Sequence, residues 1–155
     1  MPRTISNGEV RIWWATTVSD PSAPTAAEIT AGTEITGFIS SLDTPLDGNA
    51  PDASDLSSAF NKTVAGKFGG NVSAQMYRDD TTDTAFGLFP RGTTGYLIVR
   101  RFGGSTVAHA MGDEVDVWYC RVITRSDVAL DDESVQAFTV EMAALDEPNI
   151  AVTVA

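Results

Sequence analysis

One histidine and one cysteine have the greatest capacity for nucleophilic or acid–base catalysis in this chain. A catalytic triad needs a nucleophile, a base and an orienting acid within hydrogen-bond reach of one another. His109 lies in the Gly-, Ala- and Ser-rich stretch 103–112 with no nucleophile signature beside it, which is typical of a loop or strand-end histidine. Cys120 alternates with Trp118 on one face of a strand-like run and is predicted to be a small core-filling thiol.

Phosphate and metal sites are equally poorly supported by the sequence. The pair Gly66-Lys67 lacks the Ser or Thr that follows the lysine of a phosphate loop, and Asn61 stands where the earlier glycine is required. Asp79, Asp80 and Asp83 lack the alternating spacing and the distal Glu of a calcium loop, so they are predicted to form a turn cluster. We therefore predict no catalytic, cofactor or metal site, and no enzyme.

The composition of the chain limits the class of protein to which it can belong. A length of 155 residues with 43% hydrophobic residues favours a single globular domain, residues 1–155. A net charge of −11 would repel a phosphate backbone, which disfavours conventional DNA or RNA binding. No basic-then-apolar pattern begins the chain, so we expect it to be made and initially kept in a cytoplasm.

The acidic charge is concentrated at one end of the chain. Residues 126–155 contain seven Asp or Glu and no Lys or Arg. Such a segment forms either a solvated acidic face or one of two complementary surfaces for self-association, and composition does not choose between them.

Alternating apolar and polar residues dominate the chain and predict seven or eight strands. The predicted strands cover 10–14, 35–42, 72–77, 96–102, 115–123, 138–142 and 150–154. In the first, Val10, Ile12 and Trp14 form a buried face and the opposite face is amphipathic. We predict a mainly β fold, a β-sandwich or barrel with one flanking short α-helix and a long irregular loop.

Helix signals are scarce. Residues 25–31 form the one reasonable candidate, with Thr25 as N-cap and Gly32 in the left-handed conformation that ends a helix. A second short turn is predicted over 82–88.

The segment 43–70 follows neither period. Its first part, 43–58, contains Pro45, Gly48, Pro51 and four Asp without a regular apolar spacing, and is predicted to be an irregular excursion that orders on a partner. Its second part, 60–68, could extend as a hairpin arm, because Phe60 and Phe68 need a place to be buried. A mobile loop is the alternative.

Several stretches together resemble the major tail tube proteins of long-tailed, siphovirus-type bacteriophages. They are residues 24–29 (PTAAEI) with Gly32 and Ile35-Thr36, residues 55–66 (DLSSAFNKTVAG), Tyr77-Arg78-Asp79, residues 95–101 (GYLIVRR) and residues 114–118 (EVDVW). The resemblance covers most of the chain and involves order and composition, with no catalytic signature.

The resemblance implies a structural virion protein, made in the host cytoplasm, that closes into six-membered rings. Rings stack into a tube through which genome DNA passes without specific binding, and a tape measure protein, a tail terminator and a distal tail protein are the implied partners. Six copies would carry a charge of about −66, and acid facing the lumen would repel DNA.

A hypothesis about stacking concerns the irregular segment 43–68, which would reach a neighbouring ring or subunit, so that deleting 45–54 leaves a folded subunit that cannot polymerise. The candidate self-assembly residues are Asp43, Pro45, Leu46, Asp55, Leu56, Phe60, Lys62, Val64 and Phe68.

Other classes of protein remain open. Another ring-forming virion protein, such as a tail terminator, a connector or a capsid decoration protein, would share these features but would not extend into a tube. A monomeric sandwich-type binding module would expose aromatic residues on loops. Trp13, Trp14 and Trp118 instead lie within predicted strands, which disfavours that module.

Overall fold

The computed structural model describes residue 3, residues 7–104 and residues 106–155. The strands in these residues are β1 (Arg11–Ala15), β2 (Thr33–Glu34), β3 (Ile39–Asp43), β4 (Leu46–Gly48), β5 (Phe68–Tyr77), β6 (Thr94–Arg100), β7 (Glu114–Asp127), β8 (Ala137–Ala144) and β9 (Asn149–Thr153). Two short helices, α1 (Ala26–Ala31) and α2 (Thr84–Leu88), accompany them. Within the described residues, no helix has the length and apolar character needed to cross a membrane.

The strands form an antiparallel sheet in the order β2-β1-β6-β7-β8-β5-β3, with β4 added to β5 and β9 added to β7. Ile12 near one edge and Ile39 and Leu42 at the other edge line the same cleft and belong to the same hydrophobic core. The sheet therefore coils into an open barrel, and the predicted mainly β fold is confirmed.

One hydrophobic core fills the barrel. Alternate side chains point inward from successive strands, such as Trp14 from β1, Trp118 from β7 and Phe138 from β8. Helix α2 covers one end of the barrel, where Phe89 packs edge-on against Trp14 with ring centroids 4.9 Å apart. The three tryptophans are at most 3% exposed, so they stabilise the fold and are not available as surface anchors.

A second core lies on the outside of β1, β6 and the first half of β7. Ile29 of α1 packs there with Trp13, Ile98 and Val117. The sequence predicted an amphipathic outer face for β1, and that was wrong: Trp13 is as buried as Trp14, because α1 covers this part of the sheet.

The flanking helix α1 begins as predicted. Thr25 Oγ1 accepts a hydrogen bond from the Glu28 backbone N–H, and the Glu28 carboxylate accepts one from the Thr25 N–H, which completes a capping box. The end of the helix differs from the prediction, because Gly32 is extended (φ −75°) and leads directly into β2. A Cβ at Gly32 would lie 2.9 Å from the Trp14 carbonyl oxygen, so close packing requires the glycine here.

Only the second half of the predicted strand 35–42 is a strand, because residues 35–38 form a turn. Residues 33–34 form β2 beside β1, whereas residues 39–43 form β3 beside β5 at the other edge of the sheet. Between them the chain turns, with the Phe38 N–H donating to the Ile35 carbonyl at 3.0 Å. The apolar pattern persists through the turn because Ile35 and Phe38 both contribute to the barrel core.

Candidate assembly surfaces

Cys120 and His109, the two residues with catalytic potential, lie in different parts of the fold, and each has a structural role. Cys120 is fully buried in the barrel core, and desolvation raises the pKa of its thiol to about 12, as expected of a core-filling thiol. His109 lies in the loop after β6 and packs edge-on against Trp13, with ring centroids 5.3 Å apart. Its Nε2 is 3.0 Å from the Ala26 carbonyl oxygen and 2.9 Å from Thr30 Oγ1, so it ties the loop to α1.

The aspartates at 79, 80 and 83 line an open cleft with Phe38 and Gln136. Asp83 is paired with Arg78, and hydrogen bonds from that guanidinium lower the pKa of the Asp83 carboxyl. In the part of the chain that the structure describes, no group of three or more His, Cys, Asp or Glu is placed to hold a metal ion.

The segment 43–70 is a long hairpin that extends β5 beyond the sheet. Residues 71–77 of β5 pair with β8, but Phe68, Gly69 and Gly70 pair only with β4. We call residues 49–67, which continue this hairpin past β4, the arm. The root of the hairpin packs closely against the barrel core at Gly70. A Cβ at this position would lie 2.9 Å from both the Trp118 ring and Leu46 Cδ2, so the close packing requires glycine.

Cross-strand hydrogen bonds continue along the arm. The Asn49 N–H donates to the Lys67 carbonyl at 3.0 Å, and the Ala53 N–H donates to the Lys62 carbonyl at 2.8 Å. At the tip, Lys62 Nζ lies 3.2 Å from Asp55 Oδ2. Most of the segment 43–58 has no regular secondary structure, as predicted, but β4 and the isolated bridge between Asp52 and Thr63 make it the ascending side of a hairpin whose returning side is 62–68.

The arm exposes apolar side chains that a single chain leaves without cover. Leu56 at the tip is fully exposed, and Phe60 is 76% exposed. Val64 and Phe68 are more than half exposed on the returning side. The other candidate self-assembly residues lie at the root and along the ascending side, and the structure places all of them on this one hairpin: Asp43, Pro45, Leu46, Asp55 and Lys62.

A second surface lies at the opposite end of β5. Residues 78–83 and 127–136, which we call the end surface, are linked by Arg78, which pairs with both Asp83 and Asp127. Seven carboxylates and one guanidinium belong to the end surface. Leu130 and Val135 are 80% and 70% exposed within it. These residues are not among the predicted self-assembly residues, although two large aliphatic residues in an acidic loop were a visible signal.

A third surface is the outer face of β3, β5, β8 and the second half of β7, which we call the open face. Paired residues point to the same side of a sheet, and buried Val72, Met142 and Val122 point inward. Their neighbours therefore point outward, and they are mostly small and polar: Ser41, Asp43, Asn71, Ser73, Gln75, Tyr77, Arg121, Thr124, Ser126, Thr139, Glu141 and Ala143. Asp43, Arg121 and Glu141 are the charged members of this set.

The loop between β6 and β7, residues 101–113, is held by a buried arginine that the sequence analysis missed. Arg100 is 2% exposed. Its Nη atoms donate to the backbone carbonyls of Gly104 at 2.7 Å and Val107 at 2.6 Å, and Nη1 lies 3.2 Å from Asp113 Oδ2. A charged residue in the apolar run 96–102 was the available signal.

Comparisons with known proteins place these surfaces in context. A family model for phage tail tube proteins matches residues 1–155. No curated protein sequence matches the chain. Because these comparisons include a family model that spans the whole chain, the resemblance to tail tube proteins is confirmed.

Solved structures share the fold at low sequence identity. A chain from the tail of an empty GTA particle, refined helically with C6 symmetry, has a TM-score of 0.60 and 11% identity over 96% of this chain and 98% of its own. A chain of the PVC sheath–tube complex, an extracellular contractile injection system in the extended state, has a TM-score of 0.63 and 8% identity over 95% of this chain and 89% of its own. A chain of the anti-feeding prophage baseplate has a TM-score of 0.58 and 11% identity over 94% and 95%.

The family is one of structural proteins, so the role of the chain is structural and not enzymatic. The chain belongs to the phage tail tube protein family.

Proposed function

We propose that the chain acts as a single tail tube domain, residues 1–155, that closes into six-membered rings which stack into the tube of a phage tail. Genome DNA travels through the lumen during ejection. Family membership supports this, as does the sixfold symmetry of two assemblies that contain chains of the same fold. A tape measure protein, a tail terminator and a distal tail protein would meet the tube in the assembled virion.

The observation that carries the proposal is the arm. Leu56 and Phe60 extend into solvent from a hairpin that stands off the barrel. Exposed apolar side chains of this size mark an interaction site. In a self-assembling subunit, another copy of the chain covers them, and the candidate residues from Pro45 to Phe68 form this contact, whereas Asp43 at the end of β3 belongs to the open face.

Ring closure needs lateral contacts, and the outer edge of β3 supplies one. Among the described residues, β3 pairs on one side only, with β5. An unpaired strand edge is a template for another strand, and a ring of copies satisfies that edge without leaving an open one.

The open face suits the wall of the lumen. Its small hydroxyl and amide side chains offer DNA few adhesive contacts, and two carboxylates against one guanidinium leave it slightly negative. Acid that faces the lumen would repel DNA, and we assign that role to Asp43 and Glu141. The denser acid of the end surface faces neighbouring copies instead.

Electron microscopy of the purified protein over a concentration series, with light scattering for mass, tests the proposal. Hollow rods of stacked six-membered rings are the expected result. Single rings that never extend would identify a terminator or connector, and a monomer at every concentration, even with a tail-initiation complex added, would overturn the proposal.

A further inference from the structure

The arm and the end surface lie at opposite ends of the same strand. β5 starts at Phe68, where the arm is attached, and ends at Tyr77, directly before the end surface. Its ten residues span roughly 30 Å at the usual rise of a strand. Because the arm continues the hairpin away from Tyr77, the two surfaces cannot meet within one chain.

Their chemistry is complementary. The tip and returning side of the hairpin, residues 56–68, contain four exposed apolar side chains together with Lys67 and Lys62, of which Lys62 already pairs with Asp55. The end surface contains seven carboxylates and one guanidinium, which is a net charge of −6, around exposed Leu130 and Val135. If the two surfaces meet, exposed apolar side chains would face one another, and Lys62 and Lys67 would lie near an excess of carboxylates.

We propose that the returning side of the arm of one copy docks on the end surface of a second copy in the adjoining ring. This inference rests on the proposed function, and it assigns the receiving surface and the polarity of the stack. From Gly48 to the tip at Leu56 the arm reaches roughly 25 Å, enough to cross a ring junction. Because the donor and the receiver are different surfaces, the contact is heterologous and repeats without closing, which gives an open-ended, polar tube.

Disulfide trapping tests the contact directly. Ala59→Cys places a thiol at the exposed arm tip beside Phe60, and Ser134→Cys places one on the end surface beside Val135. Ala108→Cys, in the exposed loop 101–113 at the other end of β7 from the end surface, is the matched control receiver. The native Cys120 is buried and does not compete.

Tagged Ala59→Cys protein is co-assembled with untagged Ser134→Cys or Ala108→Cys protein, oxidised, and analysed for mixed dimers. Dimers with Ser134→Cys and none with Ala108→Cys are expected. Tubes that form without a crosslink to Ser134→Cys, or that crosslink to Ala108→Cys instead, would overturn the docking proposal and leave the tube function intact. If neither the variants nor the native chain forms tubes, that result would count against the proposed function itself.

Charge reversal gives an independent readout. Asp132→Lys with Glu133→Lys reverses part of the end surface, and Asp20→Lys with Glu114→Lys makes the same change in net charge elsewhere on the exposed surface. The end-surface pair is expected to raise the protein concentration needed for tubes roughly tenfold or more, since like charges then face Lys62 and Lys67. Adding Lys67→Glu to that pair is expected to lower it again. Equal effects of the two pairs, with no recovery, would refute the contact.

Discussion

The buried guanidinium of Arg100 fixes the loop 101–113 from within. It supplies donors to backbone carbonyls of Gly104, Val107 and Ala108, and Arg11 adds a further hydrogen bond of 2.6 Å to the Val107 carbonyl. Loop backbone in a barrel mouth needs such partners, because a buried carbonyl without a donor is costly.

We expect Arg100→Met to lower the free energy of unfolding by about 3 kcal/mol, since the loop carbonyls and Asp113 lose their donor. Arg121→Met, an exposed arginine of the same sheet, is the control, with an expected change within about 0.5 kcal/mol. Urea unfolding followed by tryptophan fluorescence measures both. Equal effects of the two substitutions on the free energy of unfolding would show that Arg100 does not have this structural role.

Glu28 is a second residue whose charge stabilises a local structure. Its carboxylate accepts hydrogen bonds from Ser19 Oγ, from the Thr25 N–H at 3.0 Å and from the Ser19 N–H at 2.9 Å. Chiefly through the Ser19 hydroxyl, these hydrogen bonds lower the pKa of Glu28 from 4.5 to about 2.

A pKa that is lower in the folded state means that the carboxylate stabilises the fold above pH 4.5 and loses that contribution as the pH falls towards 2. We therefore expect Glu28→Gln to be less stable than the native chain at pH 7, with a smaller difference near pH 2.5. Urea unfolding at the two pH values measures this, with the exposed Glu114→Gln as control. A difference that does not depend on pH would contradict the assignment.

At the scale of elements, local signals predicted local structure well. The start of α1 was correct because the capping box of Thr25 and Glu28 lies within four residues. The extended conformation of Gly32 could not be predicted, because the close approach of Trp14 comes from β1. The burial of both faces of β1 depends in the same way on α1, which is distant in the sequence, and alternation alone cannot report it.

The arm shows the same limit on a larger scale. Phe60 and Phe68 indicated a hairpin arm, but the pairing partner for 62–68 is a Pro- and Asp-rich run with no strand period. Hydrogen bonds to that run, and not side-chain burial, define the arm, so hydrophobic patterns gave no sign of its ascending side. The candidate residues were chosen by their exclusion from the core pattern, and the structure groups them on one hairpin.

The arm should be separable from the fold. We expect replacement of residues 49–67 by an Asn-Gly turn between Gly48 and Phe68 to shift the thermal midpoint by no more than about 5 °C, since nearly all of the removed residues are exposed. The shortened chain should still form rings but no tubes in electron micrographs. This boundary replaces the deletion of 45–54, which would remove one side of the hairpin and leave the other without a partner.

A full-length variant separates the contribution of the apolar tip to stacking from the contribution of the length of the arm. Leu56→Ser with Phe60→Ser keeps the hairpin and removes its exposed apolar side chains, so it should also prevent stacking. Normal tubes from the shortened chain would show that stacking does not need the arm. Tubes from the serine variant alone would show that backbone contacts are sufficient.

At the scale of the whole molecule, the acidic charge is distributed unevenly between two surfaces. The end surface has a net charge of −6, whereas the open face has a net charge of −1 from Asp43, Glu141 and Arg121. Concentrated acid suits a docking surface that meets lysines, and a weakly negative polar wall suits a conduit through which a polyanion slides. The net charge of −11 therefore does not measure the charge of the lumen.

The lumen assignment predicts a change in DNA affinity without a change in assembly. Asp43→Lys with Glu141→Lys moves the net charge of the open face from −1 to +3 per chain, a change that the proposed six-membered ring would repeat six times at each level of the tube. We expect double-stranded DNA to be retained by these tubes at low salt and released as salt rises, because each phosphate contact releases counterions. Native tubes should retain little DNA at any salt concentration. Asp20→Lys with Glu114→Lys adds the same charge away from the open face, so co-sedimentation of DNA with the two sets of tubes isolates the position of the charge. Equal retention by both sets would place the lumen elsewhere, and in a reconstituted virion the open-face variant should eject its genome more slowly from tubes of normal appearance.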